Sequence, residues 1–180
     1  MPLEIGLKLT VSYEGTIIFN IEIHRNVNIP LERFIDFFKG FEKVTAVREI
    51  LGDETEKVLN ELKVEFFSRR GYMGVSNDDG HLLVSANYLR NGDERDIYLD
   101  IIHELVHVKQ HRDGVELHNH RFRYSDRPTE IEAFSHAVKE ARRISMTDEE
   151  IYEYLKTEWM SEEDVKKLAE KLNVKLLCET

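Results

Sequence analysis

Residues 98–112 read Tyr-Leu-Asp-Ile-Ile-His-Glu-Leu-Val-His-Val-Lys-Gln-His-Arg. Tyr98, Leu99, Ile101, Ile102, Leu105, Val106 and Val108 fall on nearly every side of a helical projection, the pattern of a helix buried all round. Turn and cap residues stand before it at Asn91, Gly92 and Asp93. Asp113-Gly114 follows, glycine being the usual residue past a helix end. Inside this apolar helix lie His103, Glu104 and His107, in the order His-Glu-x-x-His. Side chains four residues apart share one helix face. Two imidazoles so spaced can bind one tetrahedral metal ion, and the carboxylate beside the first can reach a metal-activated water. The pattern is that of a zinc hydrolase site, with Glu104 as the expected catalytic residue. The bland alternative is a pair of ordinary histidines with a solvated glutamate.

A third protein donor is needed, because zinc sites use at least three. The candidates are His111, His118, His120, Glu130 and Glu132. Residues 129–144 read as a second helix, opened by Pro128. At about 100° per residue, Ile131, Ala133, Phe134, Ala137, Val138, Ala141 and Ile144 form one apolar arc centred near the direction of Glu130. Glu132, His136, Lys139 and Arg143 fall opposite. Glu130 is therefore expected to point into the core and Glu132 to water. A carboxylate on a core face is costly unless it is paired or ligates a metal. A metal resolves Glu130; pairing with an arginine such as Arg127 is the alternative. His111 sits one turn beyond His107, and three side chains on one straight helix do not easily converge on one ion. His118 and His120 lie in a polar loop.

The motif His103-Glu-Leu-Val-His107 together with Arg127-Pro-Thr-Glu130-Ile-Glu-Ala133 resembles the gluzincin metallopeptidases. In spacing and size the chain looks like the small minigluzincins. The resemblance covers about residues 60–145. It implies one zinc ion per chain on His103, His107 and Glu130, with Glu104 as general base. It also implies that the strand before the motif helix is a sheet edge above the metal, where an extended peptide can add to the sheet. One position departs from the pattern. Many gluzincins carry Asp or Asn four residues after the ligand glutamate, bracing a histidine; here that residue is Phe134.

The rest of the chain sets limits. A length of 180 residues suits a single domain with a sizeable core. A net charge of −10 argues against nucleic acid as a partner. One cysteine excludes an internal disulfide framework and fits a reducing compartment. The opening Met-Pro-Leu-Glu-Ile-Gly shows no leader pattern, and no apolar run reaches the ~18 residues of a membrane span. A cytoplasmic location is expected.

Three parts are expected: an N-terminal β-hairpin at 1–29, a peptidase-like core at 30–145 and a helical C-terminal appendage at 146–180. Alternating apolar residues from Leu3 to Tyr13 and from Ile17 to Ile23 predict the hairpin, which could serve as a lid, an oligomer surface or a partner-binding module. From Pro30 to Leu51 the apolar spacing predicts helix, with a break at Gly40, followed by a short helix to about Leu62. Strands are expected at 64–67, 72–76 and 82–88, the last two joined by a turn at Asn77–Gly80. Helix starts are expected at Thr147 and Ser161. The expected fold is α+β: an antiparallel or mixed sheet with an active-site helix and a following glutamate helix.

The function expected is zinc-dependent hydrolysis of a peptide or protein substrate, with Tyr124, His118, His120 or Arg127 stabilising the oxyanion. The rival is a catalytically silent or latent zinc-binding module. Two further expectations concern the end of the chain. Residues 146–180 restrain access to the site, and the apolar run from Lys175 to Glu179 brings Cys178 near the metal, since thiolate is a strong zinc donor.

Overall fold

Apolar alternation over the first part of the chain does produce an antiparallel hairpin. Strands β1 (Gly6–Tyr13) and β2 (Thr16–His24) pair from Gly6 opposite His24 to Tyr13 opposite Thr16, with a register shift at Val11/Ser12. The computed structural model describes residues 6–13, 16–24 and 31–175, with side chains from residue 32 onward.

The helix expected from Pro30 to Leu51 is not one helix. It divides into β3 (Leu31–Arg33), a single helical turn α1 (Phe34–Phe37), β4 (Phe38–Lys39) and α2 (Thr45–Leu51), with a 3-10 turn at Phe41–Lys43. Gly40 breaks the run, as expected, with φ of 91°, a conformation open to glycine. The three- and four-residue apolar spacing has another cause. Phe34, Phe38 and Phe41 all turn into one cluster, with ring centroids 5.0 to 6.4 Å apart. A tight turn between short strands serves that cluster as well as a helix would. β4 meets β2 at Glu22 and Ile23, which ties the hairpin to the rest of the chain.

After α3 (Thr55–Glu61) come β5 (Lys63–Phe67), β6 (Met73–Val75) and β7 (Leu82–Ser85). They join β3 in a mixed four-stranded sheet ordered β3-β5-β7-β6, with β5 and β7 parallel. The fold is α+β. Two expectations about this region are corrected. Residues 86–88 are not strand: Ser85 caps a short helix α4 (Ala86–Asn91), its hydroxyl accepting the Tyr88 N–H at 3.3 Å. The strand before the motif helix, β7, is interior, and among the described residues β6 and β3 are the two sheet edges.

Helix α5 (Glu94–Arg112) carries the motif. Asp93 caps it, accepting the N–H groups of Arg95 and Asp96. Ile97, Tyr98, Leu99, Ile101, Ile102 and Leu105 are fully buried, as all-round apolarity requires. Helix α6 (Pro128–Arg143) packs against α5. Two more helices follow, α7 (Asp148–Leu155) and α8 (Glu162–Lys171), capped by Thr147 and Ser161. α8 holds the loop before α6: Ser125 Oγ donates to Asp164 at 3.2 Å, and Lys171 Nζ donates to the Ser125 carbonyl at 3.0 Å. No helix of the described residues is long and apolar enough to cross a membrane.

One buried carboxylate fastens α6 to α5. Glu140 is wholly buried; it accepts the Tyr98 hydroxyl at 2.8 Å and pairs with Arg143. Removing one donor from a buried acceptor costs about 1–3 kcal/mol. Tyr98→Phe should therefore lose about that much stability in denaturant unfolding. A variant within ~0.5 kcal/mol of the parent would show that Arg143 satisfies Glu140 alone.

Candidate metal centre

The crossing of α5 and α6 brings three donors to one point. His103 Nε2 and His107 Nε2 lie 3.0 Å apart, and Glu130 Oε2 stands 3.3 and 3.4 Å from them. All three side chains are buried. Tetrahedral ligands with bonds of about 2.0–2.1 Å stand roughly 3.3 Å from one another. The triangle therefore has the size that one small divalent cation requires. Glu130 Oε2 has no hydrogen-bond partner, although it is buried. The group can hold a metal ion.

Helix phase places the two glutamates of α6 as expected. Glu130 is 4% exposed and points to α5, while Glu132 faces outward. The arginine alternative is also present: Arg127 Nη1 lies 3.4 Å from Glu130 Oε1. Each carboxylate oxygen thus has a separate duty, one toward the arginine and one toward the imidazoles. Burial pushes the Glu130 carboxyl up, but the two imidazoles outweigh it and hold it far below the usual carboxylate range. Burial lowers both imidazoles; at His107 the carboxylates of Glu130 and Glu104 prevail and hold it up at about 9, whereas His103 stays low. Burial raises Glu104 to about 8, and its Oε2 is buried without a partner.

Sequence reasoning missed the residue that orients His107. Gln110 Oε1 lies 2.8 Å from His107 Nδ1, so that nitrogen donates and Nε2 is the one left to give up its proton to a cation. The Gln110 amide is locked in turn, donating to Glu132 Oε2 at 2.8 Å and to the Thr129 carbonyl at 3.2 Å. The available signal was position. Gln110 is the chain's only glutamine, and it stands three residues after His107 on a buried helix. Glu132 is exposed as expected, but it is not a bystander. His103 has no such support among the described residues: its Nδ1 is buried without a partner, and its ring meets Phe134 edge-on at 4.4 Å.

Other sequence candidates separate clearly. His111 turns from the cluster and meets the Asn77 carbonyl at 3.2 Å, under the turn at Gly80. A Cβ at Gly80 would lie 2.5 Å from the His111 ring, and its φ of 76° also suits glycine. Tyr124 and Arg127 line the cleft beside the three donors, with exposed His118 at the rim. His120 is exposed and lines neither that cleft nor the cavity adjoining it. Trp159 reaches over both, with its ring centroid 5.5 Å from Tyr72 and 5.7 Å from Tyr124. Cys178 and residues 176–180 lie outside the described residues.

No family model matches the chain. No curated protein matches it in sequence, and no solved structure matches its fold.

Two outcomes follow from this geometry. Gln110→Ala should weaken divalent-metal binding by about 10–100-fold in chelator competition, and Glu132→Ala should weaken it less but in the same direction. Unchanged affinity in both would make the Gln110 contact incidental. Second, the proton on metal-free His107 must leave when a cation binds. Affinity should fall about tenfold per pH unit from pH 8 to 6, with about one proton released at pH 7. Calorimetry in buffers of different ionisation enthalpy measures that release, and its absence would contradict a protonated His107.

Proposed function

We propose that the chain is a zinc-dependent peptidase with Glu104 as its general base. The observation that carries this reading is the meeting of His103, His107 and Glu130 next to a buried Glu104 carboxylate with an unpartnered oxygen. Two imidazoles and one carboxylate form a donor set typical of catalytic zinc, which keeps a further position open. The gluzincin resemblance of the motif points the same way. A zinc ion held there would supply Lewis acidity, acidifying a water and polarising a carbonyl.

The substrate is proposed to lie along β6. Among the described residues that strand pairs with β7 on one side only, and Met73, Gly74 and Val75 line the same cleft as the three donors. An extended peptide can add to such an edge through main-chain hydrogen bonds. Glu104 then takes a proton from the attacking water as the oxygen–carbon bond forms. It delivers that proton to the amide nitrogen as the carbon–nitrogen bond breaks. Its buried setting favours this duty, because burial raises its proton affinity toward neutral pH. Tyr124 lines the cleft beside Glu130 and is the proposed oxyanion donor.

The test separates metal binding from chemistry. Wild-type protein should bind about one zinc per chain and cleave peptides. Glu104→Gln should keep the zinc and lose at least about 100-fold in cleavage rate. His103→Ala should lose both. A Glu104→Gln protein that cleaves as fast as the parent would remove Glu104 from the mechanism. Failure of the parent to hold zinc would remove the reading altogether.

A further inference from the structure

Beside the metal centre a cavity of about 220 Å³ opens on His103 and Glu104. It is too small for a whole drug-sized ligand, for which pockets run from about 300 Å³, and suits a single side chain. Three carboxylates of α5 line it in succession. Asp96, Asp100 and Glu104 are spaced four residues apart and so share one face of the helix. Among the described residues, none of the three forms an ion pair with a lysine or arginine. The one lysine of the lining, Lys156, is already paired with Glu153. Asp96 and Asp100 therefore give the cavity an acidic character that no lysine or arginine of the described residues balances.

The middle carboxylate of the three is held in place. Asp100 accepts the Tyr88 hydroxyl at 2.6 Å on one oxygen and the Tyr154 hydroxyl at 3.1 Å on the other. It is enclosed by the protein yet keeps part of its surface open to the cavity. Glu104, 8% exposed, adds an oxygen that no protein group satisfies. The walls are aromatic. Tyr72 stands edge-on between Tyr88 and Trp159, with ring centroids 5.0 and 5.5 Å away. Aromatic faces and carboxylates together form a receptor for an organic cation. An anionic side chain would be repelled. An aliphatic one would leave the acids without a counter-charge in a partly dehydrated space.

We propose that this cavity receives a lysine or arginine side chain of the peptide substrate, next to the bond that is cut. The proposal rests on the peptidase reading for the bond cut, but not for the binding itself. A peptide laid along β6 passes Met73, which lines both the metal cleft and this cavity. A basic side chain leaving that strand enters the cavity past these aromatic rings toward Asp100.

Trp159 is the chain's only tryptophan and lines the cavity at 53% exposure, so its fluorescence reports occupancy. The probes are blocked tetrapeptides differing at one position: lysine, norleucine or glutamate. They are titrated into the full chain kept metal-free with a chelator, where no turnover occurs. The lysine peptide should bind at least about tenfold tighter than norleucine, with glutamate weakest, and the gap should shrink in high salt. Asp100→Asn should bring lysine and norleucine to within about twofold. Asp96→Asn, at the helix turn further from the metal, should reduce the preference about two- to threefold, a check that does not depend on how well Asp100→Asn folds. Equal binding of lysine and norleucine by the parent would overturn the proposal, as would an undiminished preference in both variants. A lysine preference in binding without any cleavage by the zinc-loaded parent would instead overturn the peptidase reading and leave the cavity's assignment standing.

Discussion

Glu130 is held ionised inside this protein by the two imidazoles that meet it there. Everything else in the site depends on that encounter. It requires α5 to be buried on all sides, so that His103 and His107 face protein instead of water. It requires α6 to cross α5 at the turn where Glu130 lies. The same pair of helices contains a second buried acid, and the contrast is informative. Glu140 is fully satisfied by Tyr98 and Arg143, a closed arrangement that serves cohesion. Glu130 keeps one oxygen turned to the two imidazole Nε2 atoms at 3.3 and 3.4 Å, with no well-formed hydrogen bond among the described residues. One acid is finished by protein; the other leaves an oxygen that could hold a cation.

The gradient of support around the two histidines follows from their neighbours. His107 is fixed through Gln110, which is fixed in turn by the Thr129 carbonyl and Glu132. The orienting chain therefore runs back into α6, the helix that supplies Glu130. A shift of α6 would move the third donor and the brace of His107 together. His103 depends on packing against Phe134 in place of a hydrogen bond.

Much of this was legible in the sequence, and the exceptions have physical causes. The all-round apolar stretch of α5 and the one-sided arc of α6 are long and periodic. Their period determined the inward direction of Glu130 and the outward direction of Glu132. Residues 31–43 misled because three phenylalanines converging on one cluster leave the same spacing as a helix, while strand pairing with β2 and β5 is invisible locally. Residues 86–88 were read as a continuation of the strand; the capping hydrogen bond of Ser85 starts a helix there instead. Gln110 was passed over because its function lies in a contact with a residue nineteen positions away. The stripe of Asp96, Asp100 and Glu104 was present in the sequence too. Only the aromatic walls, drawn from Tyr72 just before β6, Tyr88 of α4 and Trp159 after α7, show that it faces a cavity.

The most direct measurement is a crystal structure of the zinc-loaded protein, with the ion located by its anomalous signal. The expected result is one ion on His103 Nε2, His107 Nε2 and the Glu130 carboxylate, at about 2.0–2.2 Å, with the remaining position open to the cleft beside Glu104. An ion closed by a fourth protein donor would contradict a catalytic centre, and an ion bound elsewhere would contradict the centre itself.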